Sequence, residues 1–279
     1  MYFVRKYNAS SPMLPFLRIP DFSSSIVTLL VSCCMLLAIR TTAVSHSASA
    51  SSAPAHAMVV SAHHVASEVG LRVMKNGGNA VDAAVAVHFA LSVVYPNAGN
   101  IGGGGFLLWR AHNGEALACD FRETAPGKAW RDMFVDSMGN VREGQSLQTC
   151  LAAGVPGSVA GMWESHRKLG RIPWRECLQP AVDLARKGFA LTQRQANELN
   201  KLRDEFAERN PHTCVFVRKR SWRKDDILKQ PDLAATLERI REHGRQGFYE
   251  GETARLLDEF MRKNGGLISR EDLRSYSPV

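Results

Sequence analysis

Cysteine is scarce in this chain, with six among 279 residues. Cys33 and Cys34 sit together in an apolar stretch, while Cys119, Cys150, Cys177 and Cys214 stand far apart. There is no Cys-x-x-Cys pair and no histidine at ligand spacing, which excludes the usual zinc modules. The last four cysteines read as plain buried thiols, and a single disulfide among them stays open. The chain also lacks a Gly-x-Ser-x-Gly elbow, a Gly-Lys-Ser/Thr phosphate loop and any internal repeat. Those absences exclude the serine nucleophile of α/β-hydrolases, a P-loop nucleotide site and a solenoid. No metal and no cofactor are expected. The one dense basic run, Arg218-Lys219-Arg220-Ser221-Trp222-Arg223-Lys224, comes without a nucleic-acid-binding motif. It is read as a solvated loop, and no nucleic-acid partner is expected.

What remains is the composition of a globular protein. Hydrophobic residues make up 45% and charged residues 22%, with a net charge of +8. Part of that charge is local. Arg5, Lys6, Arg18 and Arg40 face only Asp21, so the first 45 residues carry +3. They flank Phe22–Ile39, a run of 18 residues without a charge. That is short for a membrane span and long for the core of a cleaved signal. The cations before it favour a cytosolic N-terminus. Residues 1–21 therefore read as a cytosolic tail and 22–39 as a type II signal-anchor, with a cleaved signal as the alternative. Residues 40–57, rich in Ser and Ala, form a stalk, and the folded region is 58–279.

Within that region Val65, Val69 and Val73 fall at helical spacing, and Gly77-Gly78 ends the helix. Asn79 caps a second helix with Asp82 in its first turn. Val81 to Val94 is apolar nearly all round, which predicts a buried central helix containing His88 as a satisfied core residue. Phe106 to Arg110 and Glu115 to Arg122 read as strands joined at Asn113-Gly114. Alternation puts Leu117, Cys119 and Phe121 on one face and Asp120 and Arg122 on the other. The rest is helical. The segments are Gly157 to Lys168, Trp174 to Lys187 with an interruption at Pro180, Thr192 to Glu208, a helix opened by Pro231, Glu252 to Lys263, and a turn capped by Ser269 with Asp272.

The most specific feature is Gly99-Asn100-Ile101-Gly102-Gly103-Gly104-Gly105-Phe106, followed by Asp120-Phe121-Arg122-Glu123-Thr124-Ala125-Pro126. Four glycines allow backbone shapes that other residues resist. Alone they signal a tight turn, and Arg122 alone signals a surface ion pair with Asp120 or Glu123. Together the two segments resemble the γ-glutamyltranspeptidase (glutathione hydrolase) family. Further matching stretches are Asn76 to Ala86, Gly154 to Gly161, Gln179 to Ala181, Gly247 to Gly251 and Asn264 to Leu273.

The resemblance implies an α+β fold, the N-terminal portion of an αββα sandwich of the N-terminal-nucleophile hydrolases. It implies that Arg122 binds the α-carboxylate of a γ-glutamyl group and that Gly102, Gly103, Gly104 and Gly105 line the substrate cavity. A guanidinium suits that task because its fork matches a carboxylate. The implied reaction is acyl transfer from glutathione or another γ-glutamyl compound to water, an amino acid or a peptide, through a threonine at the N-terminus of a small subunit cut from the same precursor. No threonine here stands in a processing motif. The chain accordingly reads as a truncated large subunit, inactive alone, behind a membrane anchor with its catalytic region extracellular or luminal. Cleavage of the signal would make it secreted or periplasmic. Two other readings are a γ-glutamyl-acylase of different substrate and a non-catalytic, membrane-tethered interaction protein.

Overall fold

The structure is a computed structural model that describes residues 56–210 and 214–279. The expected tail, apolar run and nearly all of the stalk lie outside the described residues. Among the described residues no helix is long and apolar enough to cross a membrane. The unit Met58–Val279 contains everything below.

Helix α1 (His64–Lys75) starts where the His63 ring accepts a hydrogen bond from Val65 N. It ends at Gly77, whose φ of +95° suits glycine. Helix α2 (Ala80–Val94) opens on a reciprocal capping box. Asn79 Oδ1 accepts from Val81 N and Asp82 N, and Asp82 Oδ2 accepts from Asn79 N at 2.8 Å. Two orphan amides of the first turn and the cap's own amide are thereby satisfied. The apolar sequence of α2 is buried between α1, α4 (Ser158–Leu169) and α5 (Trp174–Lys187). Helix α8 (Pro231–His243), with proline in its first turn, packs on α5, and the Trp174 indole donates to Ile240 O. The remaining helices are α3 (Gln145–Gln148), α6 (Gln193–Lys201), α7 (Arg203–Arg209), α9 (Gln246–Tyr249), α10 (Gly251–Lys263) and α11 (Arg270–Ser275).

The sheets are small. Strand β1 (Phe106–Arg110) pairs antiparallel with β2 (Ala116–Asp120), Leu108 opposite Ala118. Strands β3 (Phe189–Ala190) and β4 (Ile227–Leu228) form a second two-residue ladder. The alternation on β2 holds: Leu117 and Cys119 are half-buried and Phe121 is buried, while Asp120 and Arg122 are exposed.

Several local expectations are corrected. Pro180 does not interrupt α5, which runs unbroken for 14 residues. Cys177, Leu178, Ala181, Val182 and Ala185 pack the same helix into the core, and that burial outweighs one missing hydrogen bond. The segment from Thr192 is two helices that break at Leu202. The hairpin turns at Asn113-Gly114, as expected. Ala111 N donates to Glu115 O, and Gly114 has a φ of +92°, which gives a three-residue loop closed by a left-handed glycine. Among the described residues Cys177 alone of the free thiols is fully buried; Cys119, Cys150 and Cys214 are intermediate. The basic run is no simple solvated loop. Trp222 is buried, Arg218 lies 3.6 Å from its ring centroid, and Asp226 pairs with both Arg218 and Arg220. Those contacts hold the Asp226 carboxyl down, at about 2.

His88 is not a satisfied core residue. It is half-buried and walls a cleft of about 380 Å³ beside Met58, Met74, Val87 and Leu91, and among the described residues its Nε2 has no hydrogen-bond partner. Burial holds its pKa down from 6.5 to about 4. The unfolded chain therefore takes up this proton first as pH falls. The group's contribution to stability is whole above pH 6.5 and is lost as pH falls toward 4. His88→Leu removes the unpaired nitrogen. It should stabilise the full-length protein by about 1 kcal/mol at neutral pH and flatten the fall of Tm across that window. Calorimetry at several pH values checks this; an unchanged slope would assign the acid sensitivity elsewhere.

Candidate functional site

The glycine run and Arg122 meet in space. The β1–β2 ladder continues outward, with Phe121 N donating to Gly105 O at 3.0 Å and Gly105 N to Phe121 O at 3.3 Å. None of Gly102, Gly103, Gly104 and Gly105 has a positive φ. Glycine is needed here for closeness, not for a left-handed backbone. A Cβ on Gly104 would lie 2.5 Å from Phe121 O and 2.8 Å from both Arg122 Cα and Glu123 N. One on Gly105 would press the Phe121 ring at 3.1 Å, and one on Gly103 would meet Asn100 Oδ1 at 2.6 Å. Gly102 has open space around it. Gly103 O accepts from Gly157 N and Ser158 N at the start of α4, which anchors the run to the helix layer.

The Arg122 strand is packed as tightly against the α4 region. A Cβ on Gly157 would lie 2.0 Å from Phe121 O, and one on Gly161 would lie 2.2 Å from Phe121 Cγ. Phe121 is thus clamped between the glycine run and two glycines of the α4 region. Thr124 and Val155 exchange backbone hydrogen bonds just beyond.

From this fixed strand the Arg122 side chain reaches outward, 64% exposed. Its Nε lies 3.3 Å from Glu123 Oε2, and its guanidinium carbon lies 5.9 Å from the Phe106 ring centroid. The expected surface ion pair thus exists, with Glu123 and not through the Asp120 side chain, which instead accepts from Arg122 N. An exposed pair of this kind contributes little and is easily exchanged for another carboxylate. Arg122 borders an open cleft of about 390 Å³ lined also by Thr124, Pro126, Phe134, Leu151 and Gly154. The four glycines are not part of that lining; they back the strand that carries Arg122.

A second polar cluster went unrecognised in the sequence. Asp82, His166 and Cys177, from α2, α4 and α5, bring their ligand-type atoms within 4.8 Å of one another. The Asp82 side chain is fully buried and that of His166 is 11% exposed. Asp82 accepts from Asn79 N and from Arg171 N, the latter at 3.0 Å. His166 Nε2 lies 3.0 Å from Ile172 O and 3.3 Å from Asp82 Oδ1. Both neighbours are acceptors, so Nε2 carries a proton shared between them and has no lone pair for a metal. Burial pushes the Cys177 thiol up to about 12, with the Asp82 charge adding to it, so without a metal it stays a neutral thiol. Asp82 and His166 form a polar strut between α2 and α4, with the Cys177 thiol of α5 beside it. Its only sequence signal was Asp82 three residues after Asn79.

The family model described as gamma-glutamyltranspeptidase matches residues 66–279. The glutathione hydrolase proenzyme of Escherichia coli is 46% identical over 224 residues, which cover 80% of this chain and 39% of that protein. The glutathione hydrolase proenzyme of Pseudomonas sp. (strain A14) is 45% identical over 232 residues, 81% of this chain and 40% of that protein. The crystal structure of Helicobacter pylori γ-glutamyltranspeptidase superposes with a TM-score of 0.77 at 46% identity, over 80% of this chain and 64% of that one. The chain thus spans about 40% of the length of these two curated relatives. The helix layer and hairpin are the N-terminal portion of the expected αββα fold, and other solved members of the family superpose on them too. With a family model covering most of its length and its glycine run and Arg122 strand interlocked as described, the chain belongs to the γ-glutamyltranspeptidase family.

Proposed function

We propose that the full-length protein is a glutathione hydrolase and γ-glutamyltransferase, and that Arg122 holds the α-carboxylate of its γ-glutamyl substrate. The observation that carries this reading is a guanidinium, solvent-accessible beside an open cleft, on a strand whose backbone is packed against the glycine run and the start of α4. A rigidly based fork pays little ordering entropy when it binds a planar carboxylate.

Chemistry follows from the family. A threonine hydroxyl beyond residue 279, on a small subunit of the same precursor, adds to the γ-carbonyl carbon. The C–N bond breaks and the amine leaves with a proton. Water or an amino acid then takes the γ-glutamyl group and the threonine is restored. Within this chain, Arg122 would bind and orient, and Gly104 would allow the two backbones to approach. The decisive experiment is turnover of glutathione by the full-length protein. Release of glutamate and cysteinylglycine is expected; a folded, processed protein with no turnover of any γ-glutamyl compound overturns the reading.

Membrane anchoring through residues 22–39 belongs to the same proposal. It rests on the charge bias around Phe22–Ile39. Protease added to sealed microsomes should spare residues 58–279 and trim only the N-terminal tail. Digestion of 58–279 in intact vesicles would reverse the topology.

A further inference from the structure

Tyr276 lies just after α11, buried, 154 residues beyond Arg122. Its hydroxyl donates to Arg122 O at 2.8 Å. Among the described residues no backbone amide donates to that carbonyl, because the β1–β2 ladder has already ended. The hydroxyl stays protonated: burial pushes it up to about 12. The ring is also fixed. It stacks on Tyr249 with centroids 5.8 Å apart and planes at 8°. Arg245 donates to Arg274 O and Tyr276 O at 2.8 and 2.7 Å, and its guanidinium carbon sits 4.9 Å from the Tyr249 ring centroid. The Tyr249 hydroxyl in turn donates to Pro156 O and accepts from Ala160 N, fixing the start of α4 that grips Gly103.

We propose that Tyr276 is a positioning residue for substrate binding, its hydroxyl setting the main chain of Arg122 so that the guanidinium meets the α-carboxylate of a γ-glutamyl compound. The inference rests on the reading of Arg122 as the carboxylate ligand. The alternative role is purely structural, since a buried aromatic packed on Tyr249 would be needed for folding whatever Arg122 does. The two roles separate because Tyr276→Phe keeps the ring and deletes only the bond to Arg122 O.

The test is a double-mutant cycle of Tyr276→Phe and Arg122→Ala in the full-length protein, with two substrates. One is γ-glutamyl p-nitroanilide; the other is 4-aminobutyryl p-nitroanilide, which lacks the α-carboxylate. Tyr276→Phe should raise KM for the first by about three- to tenfold, the scale of one lost hydrogen bond, with little change in kcat. It should leave kcat/KM for the second unchanged and add nothing in the Arg122→Ala background. An equal loss for both substrates, or the same loss with and without Arg122, would overturn the positioning role and leave the Arg122 reading intact. A loosened or partly unfolded variant gives that first result. An Arg122→Ala protein that discriminates the two substrates as well as the wild type would overturn the Arg122 reading and the inference with it.

Discussion

Arg122→Ala in the full-length protein should lower kcat/KM for γ-glutamyl p-nitroanilide by about ten- to a hundredfold. The figure comes from the worth of a hydrogen bond to a charged group, about 1.5–3 kcal/mol. Most of the loss should appear in KM, because the α-carboxylate is remote from the bond that breaks and is held equally in ground and transition states. Arg122→Lys should restore only part of it. An ammonium offers a point charge where the guanidinium offers two parallel N–H groups. Folding should be untouched, since the side chain is 64% exposed and its ion pair with Glu123 is a surface pair. The same exposure makes the measurement clean: a loss of activity in this variant is not a loss of fold. Unchanged kcat/KM in Arg122→Ala would return the residue to an ordinary surface role.

How this site was legible in the sequence, and where it was not, follows from the range of the interactions. Local chemistry was readable. Asn79, Thr192 and Ser269 were each expected to cap a helix, and each side chain accepts from the first-turn amides as capping geometry requires. Pro231 stands at the first position of α8. Two-residue alternation put Arg122 on the face opposite Phe121, and it is there.

What depends on partners far along the chain was hidden. The glycine run suggested unusual dihedrals; its reason is instead the backbone of residues 121–123 passing within 3 Å of where a Cβ would sit on Gly104. The bond from Tyr276 to Arg122 spans 154 residues, and no local pattern marks it. Pro180 was read by its local cost alone, while the burial that keeps α5 continuous comes from α2 and α8. The basic run around Trp222 looked solvated because its shared counter-ion, Asp226, lies just beyond the run.

Asp82→Ala should be the most damaging single substitution for stability, with a loss of about 3–5 kcal/mol. Asp82 is wholly buried at the N-terminus of α2. Its carboxylate closes the capping box with Asn79 N, takes Arg171 N from the link between α4 and α5, and takes the His166 Nε2 proton from α4. Alanine leaves the Asn79 and Arg171 amides without the carboxylate and His166 Nε2 with Ile172 O alone, and it also removes a negative charge from the positive end of the helix dipole. Asp82→Asn should lose less. Its amide oxygen can serve one or two of the donors, but its NH2 group adds another donor to a cluster that already has too many. Chemical denaturation of the full-length protein measures both. A chelator should leave the wild-type midpoint unchanged, because His166 Nε2 is committed as a donor to Ile172 O and Asp82 Oδ1; a fall in the midpoint would show a bound metal in its place. If Asp82→Ala unfolds within about 0.5 kcal/mol of the wild type, a change no larger than an ordinary surface substitution, then the apolar packing of α2 carries this junction and the strut does not.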